Sequence, residues 1–168
     1  MKHRAESLVR TLEKITSVYR NLCDLLVDES RHMIAVDVKA LAEATQSKEA
    51  MLSALWSLEQ DRIQQTHELA QILGIPESTE TLLTIANLVQ SPEKEILRAS
   101  HESLQLLIEQ TKSLNQENMR LAEESLERIE LMKRNIIGAA NLNQDGYNAS
   151  GNKQSGPSQG GRLISQKA

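Results

Sequence analysis

Phenylalanine is absent from this 168-residue chain, and the aromatic residues it does have are Tyr19, Trp56 and Tyr147. Any core must therefore be filled by aliphatic side chains, without the large flat rings that usually dominate burial. A single cysteine, Cys23, excludes an internal disulfide and a cysteine metal site, and it fits a reducing compartment. No apolar run approaches the roughly 18–20 residues that span a bilayer. The basic start Met1-Lys2-His3-Arg4 leads into a mixed amphipathic stretch, not the apolar segment of a signal peptide. Nor is there a basic face: 19 Lys and Arg stand against 23 Asp and Glu, a net charge of −4, which argues against a nucleic-acid partner. What is plentiful is leucine, 24 residues of it, accompanied by Ala, Glu, Lys and Arg. That is the composition of long helices and coiled coils. The expectation is a cytoplasmic all-α protein without membrane insertion: an antiparallel bundle or coiled coil of three long helices, with a short extra helix and a disordered C-terminal tail.

Glycine divides the chain. Of seven, only Gly74 precedes residue 138. The last 31 residues are rich in Asn, Gln, Ser and Gly and hold one acid, Asp145, against Lys153, Arg162 and Lys167, so they carry +2 and the preceding part −6. Their apolar content is too small to offset the entropy of ordering them. Residues 1–137 are read as a helical bundle domain and 138–168 as a flexible polar tail, whose few apolar anchors are Tyr147, Leu163 and Ile164.

Within the body, apolar residues recur at three- and four-residue steps. The first helix carries Leu8, Leu12, Ile15, Tyr19, Leu22 and Leu26 on one face, followed by Glu29, Met33 and Val36. A turn near Ala35–Asp37 is favoured, with Asp37 capping the next helix. The alternative, one unbroken helix to Leu73 roughly 100 Å long, could not bury its stripe within a monomer. The second helix, about Val38 to Leu73, meets the stop signal Gly74-Ile75-Pro76. It has a main stripe of Ala44, Met51, Leu55, Leu58, Leu69 and Leu73. A flanking stripe of Val38, Leu52, Trp56 and Ile63 suggests a middle helix that touches two neighbours. A short helical segment is expected within Ser78–Val89. Ser91-Pro92-Glu93-Lys94-Glu95 then opens a third long helix reaching about Asn135–Ala139, where Gly138 marks fraying. Its stripe is Leu97, Leu104, Leu107, Thr111, Leu114, Asn118 and Leu121, shifting to Leu126, Ile129, Met132 and Ile136. Asn115 and Asn118 form a structural polar pair that would control register in a bundle. Leu131 and Ile137 fall off the stripe that packing alone would demand.

Catalytic patterns are missing. Glu29-Ser30-Arg31-His32 has Glu-x-x-His spacing, but a di-iron carboxylate site needs a second such motif, and Gln64 and Arg98 stand where its glutamate would precede His67 or His101. Glu29 and His32 are better read as a solvated pair. Cys23 has no base motif to activate it and reads as a small packed residue. Gly160-Gly161 follows no strand and makes no phosphate loop. No enzyme activity, cofactor or metal is expected.

Taken in order, several features resemble the FlgN family of flagellar export chaperones. They are the opening helix ending in Leu22, Leu26 and Glu29; Asp37-x-x-x-Leu41; Lys48-Glu49-x-x-Leu52-x-x-Leu55; Arg62; and the Leu73-Gly74 stop. Leu114-Asn115-x-x-Asn118-x-x-Leu121, Tyr147-x-x-x-Gly151 and the closing Gly161-Arg162-x-x-x-x-Lys167-Ala168 follow. The resemblance implies a non-enzymatic chaperone that holds the C-terminal helical segments of the hook-filament junction proteins FlgK and FlgL. It also implies that the chaperone prevents their premature assembly and brings them to the type III export apparatus. A tyrosine outside the folded core is implied to dock on the export gate component FlhA, and Tyr147 matches it. The client-binding surface is expected at Leu126, Ile129, Leu131, Met132, Ile136 and Ile137, joined by Leu163 and Ile164 of the tail. The free chain is expected to be a monomer or weak dimer. The competing reading is a structural coiled-coil or adaptor protein acting through homo-oligomerisation.

Overall fold

The computed structural model describes residues 2–89, 92–142, 145–147 and 153–155, with side-chain burial described over 2–89 and 92–138. Helix α1 spans Lys2–Ala35 and α2 spans Val38–Leu73. A 3₁₀ turn, Glu77–Thr79, precedes the short α3, Leu82–Leu88, and α4 runs Glu93–Leu142. The strands β1 (Asp145–Tyr147) and β2 (Lys153–Ser155) follow. The chain forms two compact units, Met1–Ala122 and Glu123–Ala168.

In the first unit α1 and α2 are antiparallel: Arg4 pairs with Glu68 at one end and Glu29 with Lys48 at the other. Helix α4 runs parallel to α1, since Cys23 meets Thr111 and Leu26 meets Asn118. The long helices thus run up, down and up. The core is aliphatic throughout: Leu8, Leu12, Ile15, Leu22 and Leu26 of α1 meet Leu55 and Leu69 of α2, Leu82 and Ile85 of α3, and Leu97 and Leu104 of α4. Burying each such side chain stabilises by about 1.5–3 kcal/mol before entropy is counted, and no ring is needed.

Helix α1 is the more deeply buried of the first two helices, while α2 touches two neighbours, α1 and α3. Its buried set is broad, adding Ala5, Val9, Thr11, Thr16 and Cys23 to the leucine stripe, whereas α2 buries only Ala44, Leu55, Thr66, Leu69 and Ala70. Small residues flanking a leucine stripe let two neighbours approach one helix. The flanking stripe of α2, expected to find a second neighbour, faces solvent instead: Val38, Leu52 and Ile63 are exposed and Trp56 retains 70% of its accessible surface.

The turns are set by backbone chemistry. After α2, the Gly74 amide donates to Gln71 O and the Ile75 amide to Ala70 O, with Gly74 at φ 68°, the left-handed conformation that glycine adopts without strain. The same pair of bonds closes α1, from Val36 to Met33 O and from Asp37 to His32 O, but the left-handed residue is Val36 at φ 57°. Asp37 then caps α2 by accepting the Ala40 amide at 3.0 Å. The hairpin is as expected; a β-branched residue at its left-handed position is not, and it is strained there.

At the far end α4 passes through Gly138 to Leu142, beyond the fraying point expected from that glycine. One glycine costs a helix only about 1 kcal/mol relative to alanine, which does not stop it. Ser91, the expected cap of α4, lies outside the described residues, while Glu93 and Glu95 occupy its first turn at the positive dipole end. No strand was expected after α4, yet β1 and β2 pair antiparallel, with Gly146 opposite Gln154 and Tyr147 opposite Lys153. A three-residue ladder rests on backbone groups, so it leaves no alternation of apolar side chains to read. The disorder expected of the tail otherwise concerns residues outside those described.

Because Val36 is exposed and strained, Val36→Gly should stabilise the protein by roughly 0.5–1 kcal/mol, the relief of the left-handed valine less the added freedom of glycine when unfolded. Gly74→Ala should destabilise by about 1 kcal/mol, because no atom lies within 4 Å of the added methyl and only the backbone term remains. Urea unfolding followed by circular dichroism measures both.

Candidate functional site

Two features of the first unit bear on how a working surface could be held. The first is a polar junction in an otherwise aliphatic interior. Glu29 is buried near the end of α1, and its carboxylate meets Lys48 of α2 and accepts from Asn118 of α4 at 2.9 Å. The same Asn118 amide group donates to Leu26 O at 2.8 Å, a backbone acceptor within α1. One carboxylate thereby bonds all three long helices. Reading Glu29 as solvated is overturned, and the reason is distance in sequence: its partners are brought to it only by the fold. Asn118 is buried, whereas Asn115, assigned to the same pair, is exposed. Asn115 instead joins Leu22, Leu26, Lys48, Leu52, Thr111 and Lys112 in lining a groove of about 270 Å³.

Sequence reasoning missed that groove because Leu22 and Leu26 were counted as core and Leu52 as a packing residue. Its floor is α1, and its walls are α2 and α4. Tyr19, on the same helix, is half-buried, and burial followed by the nearby Glu59 carboxylate raises its hydroxyl above the ordinary pKa of 10.0. Cys23 is buried as a free thiol beside Thr111 Oγ1 at 3.3 Å, where it packs and meets no base.

The second unit begins within α4. Leu126, Ile129, Leu131, Met132, Ile136 and Ile137 are all exposed, retaining between 51% and 70% of their accessible surface. At about 100° per residue, Leu126, Ile129, Met132, Ile136 and Ile137 share one face of the helix. Ile137 falls about 20° from Leu126 and so belongs to that face, contrary to the expectation that it departs from it; Leu131 alone lies on the opposite side. These five residues extend over three helical turns, or about 17 Å. Scattered exposed leucines are ordinary, whereas apolar residues grouped on one helix face over this length are not, although Lys133 falls among them. Tyr147 lies in β1, opposite Lys153. Its side chain, and all of Leu163 and Ile164, fall outside what is described. Among the described residues no cluster of three or more His, Cys, Asp and Glu could hold a metal, and no helix is long and apolar enough to cross a membrane.

A family model described as FlgN protein matches residues 1–155, nearly the whole chain. The chain belongs to the FlgN family. No curated protein and no solved structure matches it. Membership makes this a chaperone of flagellar export, in a family of chaperones and not of enzymes. In this FlgN chain the α4 face from Leu126 to Ile137 is an exposed, largely apolar helical surface among the described residues.

The polar junction of the first unit has a measurable weight. Asn118→Ala removes a hydrogen bond to a buried carboxylate and another to a backbone carbonyl within α1, and it should cost roughly 2–3 kcal/mol. Asn115→Ala should change stability by less than about 0.5 kcal/mol, as for an ordinary surface substitution. Urea midpoints of the two variants check the contrast.

Proposed function

We propose that this FlgN protein works in the cytoplasm, holding the C-terminal helical segments of the hook-filament junction proteins FlgK and FlgL. It prevents their premature assembly and delivers them to the export gate component FlhA. The observation that carries the reading is the largely apolar face of α4, with Leu126, Ile129, Met132, Ile136 and Ile137 exposed together. An amphipathic client helix that must be kept from self-association needs such a face, read by anchors at three- and four-residue spacing. Leu131, pointing away from that face, gives a client a second apolar point to wrap around. Residues 138–168, with Tyr147, Leu163 and Ile164, form the second part of the working surface. Tyr147 is the anchor assigned to the gate, since a tyrosine combines a large apolar ring with a hydroxyl.

Mixing the chaperone with a FlgK C-terminal segment should give a 1:1 complex by size-exclusion chromatography with light scattering. Stable homo-oligomers that ignore the segment would favour the structural coiled-coil reading instead. The double substitution Ile129→Ser and Ile136→Ser should weaken the complex on the order of 100-fold, at about 1–1.5 kcal/mol of apolar burial for each side chain, without lowering the unfolding midpoint. Tyr147→Ala should leave client affinity intact and lower affinity for the cytoplasmic part of FlhA; unchanged gate affinity would remove Tyr147 from that role.

A further inference from the structure

The apolar face of α4 is interrupted once, at Lys133. Successive seam positions at alternating four- and three-residue steps are Leu126, Ile129, Lys133 and Ile136, so the lysine stands in the line of anchors and not at its edge. It is exposed, and none of the ion pairs of the described residues includes it. The side chains one turn away are Ile129, Glu130, Ile136 and Ile137, and the only carboxylate among them, Glu130, is engaged by Arg134 Nη2 at 3.3 Å. An ammonium group without a partner is therefore held within a surface that is otherwise built to lose its water.

We infer that Lys133 selects the occupant of this face: an amphipathic helix that carries one Asp or Glu among its apolar seam residues, so that a carboxylate meets the ammonium. The inference rests on the reading of the face as a partner-helix site. Covering the face strips water from the lysine, which is costly unless a carboxylate replaces that water. A second copy of this chain, pairing seam to seam, places none opposite it. Paired parallel and in register, it sets Lys133 against Lys133; paired antiparallel, it offers only Leu126, Ile129, Lys133 and Ile136, none of them acidic. The same side chain thus admits an acid-bearing helix and opposes self-pairing, as a single polar seam residue does in coiled coils.

Two measurements on the full chain test this. In sedimentation velocity the native chain should remain monomeric at concentrations where Lys133→Leu dimerises. A Lys133→Leu variant that stays monomeric, or a native chain that dimerises through this face, overturns the exclusion of a second copy. For the partner, three synthetic amphipathic peptides with leucine seams should be compared, differing only in Glu, Gln or Lys at the central seam position. The Glu peptide should bind at least tenfold more tightly than the Lys peptide, and Lys133→Glu should reverse that order. Equal binding of all three, abolished by Ile129→Ser with Ile136→Ser, would overturn the role of Lys133 while leaving the face as a helix site. Failure of all three peptides to bind would overturn the helix site itself.

Discussion

A single carboxylate ties this bundle together. Glu29 lies at the end of an interior made almost wholly of leucine, isoleucine and alanine, and one helix after another reaches it: α2 through Lys48, α4 through Asn118. Aliphatic stripes alone specify that helices associate, but they tolerate sliding by a turn, since one leucine fits much as the next does. A buried acid does not tolerate it. If α4 moved one turn along α1, Asn118 would leave both Glu29 and Leu26 O, and a buried charge would lose a donor at a cost of roughly 1–3 kcal/mol. We assign the junction the role of fixing the register of α4 in the first unit.

The two parts of α4 differ in their cover. The leucine stripe of α4 is covered up to Asn118 by α1, and the apolar face from Leu126 onward has no cover among the described residues. A helix that simply closed a bundle would become polar there. Here the apolar spacing continues, and it costs the free protein an exposed surface that invites nonspecific association. We read that exposed surface as the place where a client is held, and Lys133 as the residue that keeps two copies of the chain apart there.

Several parts of this were legible in the sequence because their causes are local. Gly74 before Ile75-Pro76 and Asp37 before a leucine-alanine run mark helix ends through backbone chemistry that neighbouring residues decide. The long α4 was likewise visible in its three- and four-residue spacing. What stayed hidden depends on partners far along the chain. Glu29 looks like one more surface acid until Lys48 and Asn118 are brought to it. Leu52, Trp56 and Ile63 look like packing residues because periodicity reports which face is apolar, not whether anything covers it. Val36 gives no sign of its left-handed turn, since valine is a poor residue for it and only the demands of the hairpin impose it. The β1–β2 ladder is carried by backbone groups and has no side-chain pattern at all.

The central claim is that clients are held on the α4 face from Leu126 to Ile137. Amide hydrogen exchange of the chaperone, alone and saturated with a junction-protein C-terminal segment, tests this most directly. The account predicts that protection appears over residues 126–137 when the client is bound, while the amides of α1 and of α2 from Ala44 to Leu69 exchange as before. Protection gained instead along Leu52, Trp56 and Ile63 of α2, with 126–137 unchanged, would contradict it.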